Sequence, residues 1–259
     1  MSELNPILAI AFRDLVKFLR DRGRLVGTFV FPFIFIGILG GSFQSNMSSD
    51  FGFDFIAFTF TGVFGQTLFQ SAANGIISLI DDRETDFSQE IFVAPISRYS
   101  IVFGKIVGES LVALAQGIGI MLFGAIVGVP MSVGQLLAMI PVAVIACLLG
   151  GAFGILILSN LSSRMLANQI FPFIMLPQFF LAGVFNPIRV LPLPLEILSL
   201  ISPMRYAVDL TRGIFYAGRP EYEKVVLQSP LVNMAIIGAM FAVFLVAGTV
   251  LFVRREQNR

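Results

Sequence analysis

Six long stretches of this chain, 25–43, 55–80, 106–129, 136–158, 166–185 and 231–253, contain between them one residue that is Asp, Glu, Lys or Arg, and it is Glu109. An α-helix rising about 1.5 Å per residue needs about 20 apolar residues to cross about 30 Å of hydrocarbon, and these runs have that length. A transmembrane β-barrel would show alternation in segments of about ten residues, whereas these runs are continuously apolar. A water-soluble fold would have to keep such runs off its surface. With 56% hydrophobic and 13% charged residues among 259, too little polar surface is available to do so; an ordinary soluble domain carries about 25% charged residues. The fold class predicted is therefore an all-α integral membrane protein with six transmembrane helices. Histidine is absent and Cys147 is the single cysteine, which excludes an intrachain disulfide and a Cys/His metal site.

Lys and Arg are placed unevenly around these runs. Five stand before the first, at Arg13, Lys17, Arg20, Arg22 and Arg24; Arg83, Arg98 and Lys105 lie in 81–105; Arg164 precedes the fifth; Arg254, Arg255 and Arg259 follow the last. The connections 44–54 and 130–135 hold none. By the positive-inside rule both termini are cytoplasmic, in a multi-pass protein of the bacterial plasma membrane. The long outer connection 186–230 carries Arg189, Arg205, Arg212, Arg219 and Lys224, offset in part by Glu196, Asp209, Glu221 and Glu223. The first 24 residues mix both charge signs and no small-residue cleavage site follows, so the first run is expected to stay as a span rather than be removed as a signal.

Residues 1–24 read as a separate amphipathic helix lying in the membrane interface, with 25–259 as the transmembrane domain. Asn5 and Pro6 signal its start; Leu8, Phe12, Leu15 and Leu19 recur at helical spacing, and Arg13, Lys17, Arg20 and Arg24 fall on another face. In 186–230, Pro187, Pro192, Pro194 and Pro203 interrupt the chain, leaving short helices expected at 195–201 and 205–216 in a re-entrant outer segment. Asp209 stands at helical spacing from Arg205 and Arg212 and is expected to pair with them.

The second run carries a polar stripe of Thr59, Gln66, Gln70, Asn74 and Ser78, with Thr67 and Ser71 beside it. Amides facing lipid are costly, so the stripe faces protein or water, either as glue between helices or as the lining of a pathway. The fifth run contains Pro172 and Pro177 among Phe171, Phe173, Phe179 and Phe180, aromatics suited to hydrophobic cargo or to lipid. Glu109 follows Lys105 by four residues and is expected to pair with it. Gly37/Gly41, Gly104/Gly108, Gly124/Gly128 and Gly150/Gly154 have the spacing that permits close helix contact.

No G-x-x-x-x-G-K-[ST] occurs, so the chain has no P-loop of its own, and without His it has no common catalytic constellation. The inner connection reads DDRETDFSQEIFVAPISRYSIVFGK, with Asp86 or Ser88 placed to cap a short helix that Pro95 ends. Arg83, Glu84, Pro95, Ser97, Arg98, Gly104 and Lys105 resemble the loop of the ABC-2 type permeases, with Thr85-Asp86 standing where that family has Gly-Thr. Farther on, Gly183 and Pro187, the Leu-Pro of 191–192 with Leu195, and Pro203, Tyr206, Asp209 and Arg212 are similar to the family's outer segment.

The resemblance implies a permease subunit, nearest to the drug-resistance type, moving a hydrophobic or amphipathic substrate outward. It implies a homodimer of two six-span halves and two copies of a separate P-loop ATPase subunit. ATP and Mg would be bound there and no cofactor by this chain; nor is a nucleic-acid partner implied. The loop would be the coupling element, through Arg83, Glu84, Asp86, Ser88, Glu90 and Pro95. The pathway would run along spans two and five, past Gln66, Gln70, Asn74, Phe173 and Phe179. A gradient-driven secondary transporter and a glycan-exporting permease remain alternatives. The topology is open to direct labelling: Ser48→Cys should react with an impermeant thiol reagent added outside intact cells and Ser88→Cys should not, and the reverse pattern would overturn the orientation.

Overall fold

The apolar runs fold as helices that pack side by side around the most polar of them. The computed structural model describes residues 4–45, 52–84, 97–158, 161, 163–188 and 191–257, and among these there is no β-strand. In chain order the helices are α1 (Leu4–Arg20), α2 (Arg22–Ser45), α3 (Phe55–Gly75), α4 (Ile77–Glu84), α5 (Arg98–Ile126) and α6 (Val133–Leu158), followed by α7 (Arg164–Leu181), α8 (Leu193–Ser199), α9 (Pro203–Phe215), α10 (Tyr222–Val225) and α11 (Pro230–Gln257). Side-chain caps define several starts. Asp21 accepts from the Arg24 amide at 2.9 Å, Asp54 from Ile56 at 2.8 Å, Ser97 from Ser100 at 3.1 Å and Ser163 from Leu166 at 3.2 Å.

Four helical stretches among the described residues, Arg22–Ser45, Arg98–Ile126, Val133–Ile157 and Tyr222–Arg254, are long and apolar enough to cross a membrane. The other two predicted runs form α3 with α4, and α7. Their amides lower the hydropathy: Gln66, Gln70 and Asn74 in α3, Asn168, Gln169 and Gln178 in α7. The predicted run 55–80 is not one helix. It breaks at Ile76, whose amide turns back to the Ala73 carbonyl at 3.3 Å. In α2, Pro32 cannot donate to the Thr28 carbonyl, and downstream of it Ile34–Gly40 is wound as a π-helix.

Most of α3 is enclosed. Phe58, Phe60, Phe64, Leu68 and Phe69 are fully buried, and α2, α5, α6 and α9 surround the helix. Small residues set these approaches. A Cβ at Gly65 would stand 3.1 Å from Val208 Cα of α9, and one at Gly154 would stand 2.6 Å from the Ala73 carbonyl; one at Gly150 would overlap the Phe69 carbonyl. Of the glycine pairs, Gly150/Gly154 seats α6 on α3, and Gly104/Gly108 seats α1 on α5, against Ile10 and Ala11. Gly41 and Gly128 meet nothing within 4 Å.

The outer segment folds as α8 and α9, close to the expected positions. Its charges are not paired as expected. Asp209 accepts from the Leu227 amide at 2.8 Å, the Gln228 amide at 3.0 Å and Asn233 Nδ2 at 2.8 Å, so it anchors the turn before α11. Arg205 donates instead to Ser199. Arg212 lies 3.7 Å from the centre of the Phe58 ring and donates to the Gly183 carbonyl at 2.8 Å. Two amides of the following loop and one side-chain amide of α11 satisfy a buried carboxylate better than one guanidinium on its own helix. Gly183, at φ 67, ends α7 and turns that carbonyl toward Arg212.

The α3–α6 seam can be tested by substitution. Gly150→Ala should lower the thermal midpoint of the purified protein, by an overpacking penalty of about 1–3 kcal/mol. Gly41→Ala, in open space within a helix, should not lower it.

Candidate functional site

The polar stripe of α3 lines one wall of two adjoining cavities. One, of about 350 Å³, lies between α3, α2, α5 and α7 and includes Gln66, Thr67, Gln70, Ser71, Asn74, Gln116, Phe31 and Phe179. The other, of about 330 Å³, lies toward the α1 end and includes Asn74, Ser78, Glu109, Asp14, Arg164 and Asn168. Arg24 and Asn74 line both, so the two form one trough along α3. Gln66 donates to Gln70 along the stripe. Gln66 Oε1 and Thr67 Oγ1 are buried without a hydrogen-bond partner, as is Glu109 Oε2. Unpaired polar atoms against a cavity suit a wetted or ligand-occupied space, because dry burial would cost about 1–3 kcal/mol each.

Of the pathway residues predicted, the structure brings together Gln66, Gln70, Asn74 and Phe179. Phe179 packs near Phe31, with ring centroids 5.9 Å apart. Phe173 stands apart from them, 80% exposed on the outside of α7. Of the predicted coupling residues, Arg83 and Glu84 end α4, while Asp86, Ser88, Glu90 and Pro95 lie outside the described residues.

Below the trough a buried charge cluster joins three helices. Lys105 Nζ lies 3.0 Å from Asp14 Oδ2 of α1 and 2.8 Å from Asp82 Oδ2 of α4. It donates to Ser78 Oγ at 2.9 Å, and the Ser78 hydroxyl lies 2.9 Å from Glu109 Oε1. The expected Lys105–Glu109 pair is thus replaced by a bridge through Ser78, since Lys105 turns toward the two aspartates. Arg13 Nη2 completes the set, 2.8 Å from Asp14 and 2.6 Å from Asp82. Burial pushes the Asp82 carboxyl up, but Lys105 and then Arg13 outweigh it and hold its pKa below the usual carboxylate range.

Sequence reasoning left Asp14 and Asp82 without a role. The signal was present in Lys105, placed between Gly104 and Gly108, the two positions where α1 sits down on α5.

The docking of α1 also explains its orientation. It buries Ile10, Ala11, Asp14 and Phe18 and leaves Leu8, Phe12 and Leu19 exposed. In water that would invert the normal preference. An apolar medium on the outer side removes the conflict.

The cluster predicts a stability effect. Lys105→Met leaves two carboxylates sharing Arg13 as their one remaining partner of those described and should cost about 3 kcal/mol, read as a lower thermal midpoint. Asp14→Asn in the same background should recover part of the loss. Because the Asp82 pKa is lowered on folding, its contribution in the unmutated protein is complete above the ordinary carboxylate range. It should disappear as pH falls through the depressed value.

Residues 5–216 match the family model described as ABC-2 type transporter. The chain is 24% identical over 220 residues to transport permease ycf38 of Cyanophora paradoxa, covering 82% of this chain and 74% of that protein. The ycf38 protein of Porphyra purpurea is 24% identical over 221 residues, with the same coverage of 82% and 74%. The multidrug ABC transporter permease YbhR of Escherichia coli strain K12 is 29% identical over 140 residues, which are 54% of this chain and 38% of that one.

Proposed function

The chain belongs to the ABC-2 type transporter family, and from that premise we propose that it is the permease subunit of an ATP-driven exporter of hydrophobic or amphipathic molecules. Membership makes it the membrane subunit of an ABC transporter. Cargo class and outward direction are the proposal. The observation that carries the cargo class is the trough along α3, walled by amides on one side and by Phe31 and Phe179 on another.

Six spans are proposed, at about 25–43, 55–80, 106–129, 136–158, 166–185 and 231–253, with both termini cytoplasmic in the bacterial plasma membrane. In support, α1, α4 and the start of α5 are tied at one end by Lys105, as alternating helices require. At the other end Arg219 donates to the Pro130 carbonyl and Gln135 Nε2 to the Phe215 carbonyl. Residues 1–24 act as the interfacial connecting helix of a domain that runs over 25–259. The segment 186–230 is read as re-entrant, since α9 packs on Gly65, ten residues into α3 and so about 15 Å along its axis.

Two copies of the chain pair, and each receives a separate P-loop ATPase that binds ATP and Mg; this chain binds no cofactor. Gln66, Gln70, Asn74 and Phe179 face the pathway, while Phe173 meets lipid or the second copy. Force enters through the loop 81–105, where Arg83, Glu84, Asp86, Ser88, Glu90 and Pro95 form the coupling element. The charge cluster supports that role, because Asp82 links the end of α4 directly to α1 and α5.

The test is charge reversal in the loop. Glu84→Lys with Glu90→Lys should abolish co-purification of the ATPase and export, because like charges at an interface cost several kcal/mol. Membrane levels should stay normal, since neither residue lies in a proposed span. Retained co-purification with full export would refute the coupling assignment.

A further inference from the structure

Glu109 is the one acid in the six apolar runs, and only one of its two carboxylate oxygens takes a hydrogen bond within the chain. Oε1 lies 2.9 Å from the Ser78 hydroxyl. Oε2 accepts no hydrogen bond although the side chain is 2% exposed. The nearest guanidinium, that of Arg24, stops at 3.7 Å, beyond hydrogen-bonding range.

The fold makes room for this group. The carboxylate rests on Gly75 of α3, where any Cβ would overlap it. It lines the floor of the cavity of about 330 Å³. The basic side chains of the same cavity, Lys17, Arg24 and Arg164, are exposed at its rim, where water and salt screen them. Glu109 and Asp14 are buried in the depth, and Asp21 stands exposed with the bases at the mouth. The adjoining cavity contributes Phe31, Phe179 and neutral amides, and Arg24 is its one charged side chain.

We propose that the joined cavities bind amphipathic organic cations, with the cationic centre at Oε2 of Glu109 and the apolar body against Phe31 and Phe179. Arg24 is the internal cation that such a ligand displaces, its loose approach leaving the carboxylate available. The assignment rests on reading the trough as the cargo pathway and adds to it the charge of the cargo.

The full chain in lipid nanodiscs should be titrated by equilibrium dialysis with tetraphenylphosphonium and with its uncharged relative triphenylphosphine oxide. Glu109→Gln should weaken the cation about tenfold, the scale of one lost charge-assisted contact, and leave the neutral compound nearly unchanged. Arg24→Gln should act in the opposite direction and tighten the cation, which a merely misfolded variant would not do. Unchanged cation binding in both variants, or equal weakening of both compounds by Glu109→Gln, would overturn the assignment while leaving the pathway reading intact. Failure of the unmutated protein to bind either compound would overturn both.

Discussion

A helix with two glutamines, an asparagine and several hydroxyls cannot face hydrocarbon along its length without large desolvation penalties, and α3 is such a helix. Nearly every residue from Phe55 to Gly75 is shielded by other parts of the chain. The remaining elements are arranged around that requirement. The glycines of α6 let it approach within carbonyl contact of α3, Gly62 and Gly65 admit α9 on another side, and the aromatic rings of α3 fill what remains. The polar face that cannot be closed off this way becomes the trough.

The charged end of the molecule answers the same constraint differently. Lys105 and Asp14 are buried and would be prohibitive alone, but they neutralise each other across two helices, with Asp82 and Arg13 completing the set. Its four members come from three separate helices, so the cluster specifies how α1, α4 and α5 meet as well as satisfying charge. Proximity of Asp82 to the loop that follows α4 makes this junction the natural route between that loop and the trough above.

Helix identity and order were legible because runs of Phe, Ile, Leu and Val longer than a membrane is thick permit few other folds. The grouping of Gln66, Gln70 and Asn74 was legible for a similar reason, since helical spacing alone puts them on one face. Side-chain pairing was not. Lys105 and Glu109, and Asp209 with Arg205 and Arg212, have the spacing of helical ion pairs, yet Lys105, Glu109, Asp209 and Arg212 found partners far along the chain and Arg205 turned to Ser199. Local spacing offers about 0.2–0.5 kcal/mol per pair, too little to compete with a buried ammonium meeting two carboxylates or a carboxylate meeting two backbone amides and a side-chain amide. Phe173 and Phe179 illustrate the same limit, because six residues in a helix separate them by more than a turn and place one outward and one inward.

The exposure of α2 has a mechanical consequence. Only 17% of its apolar window is buried inside the fold, against 61% for α6, and its middle is wound with the looser i→i+5 bonding over Ile34–Gly40. Moving α6 away from α3 would strip carbonyl-to-glycine contacts and a continuous apolar seam. Moving α2 outward would give up little that the chain itself supplies. The trough therefore rests on an α3 that α6 holds firmly and is bounded by a compliant α2, and its capacity is set by how far Phe31 and its helix can lean into the surrounding lipid.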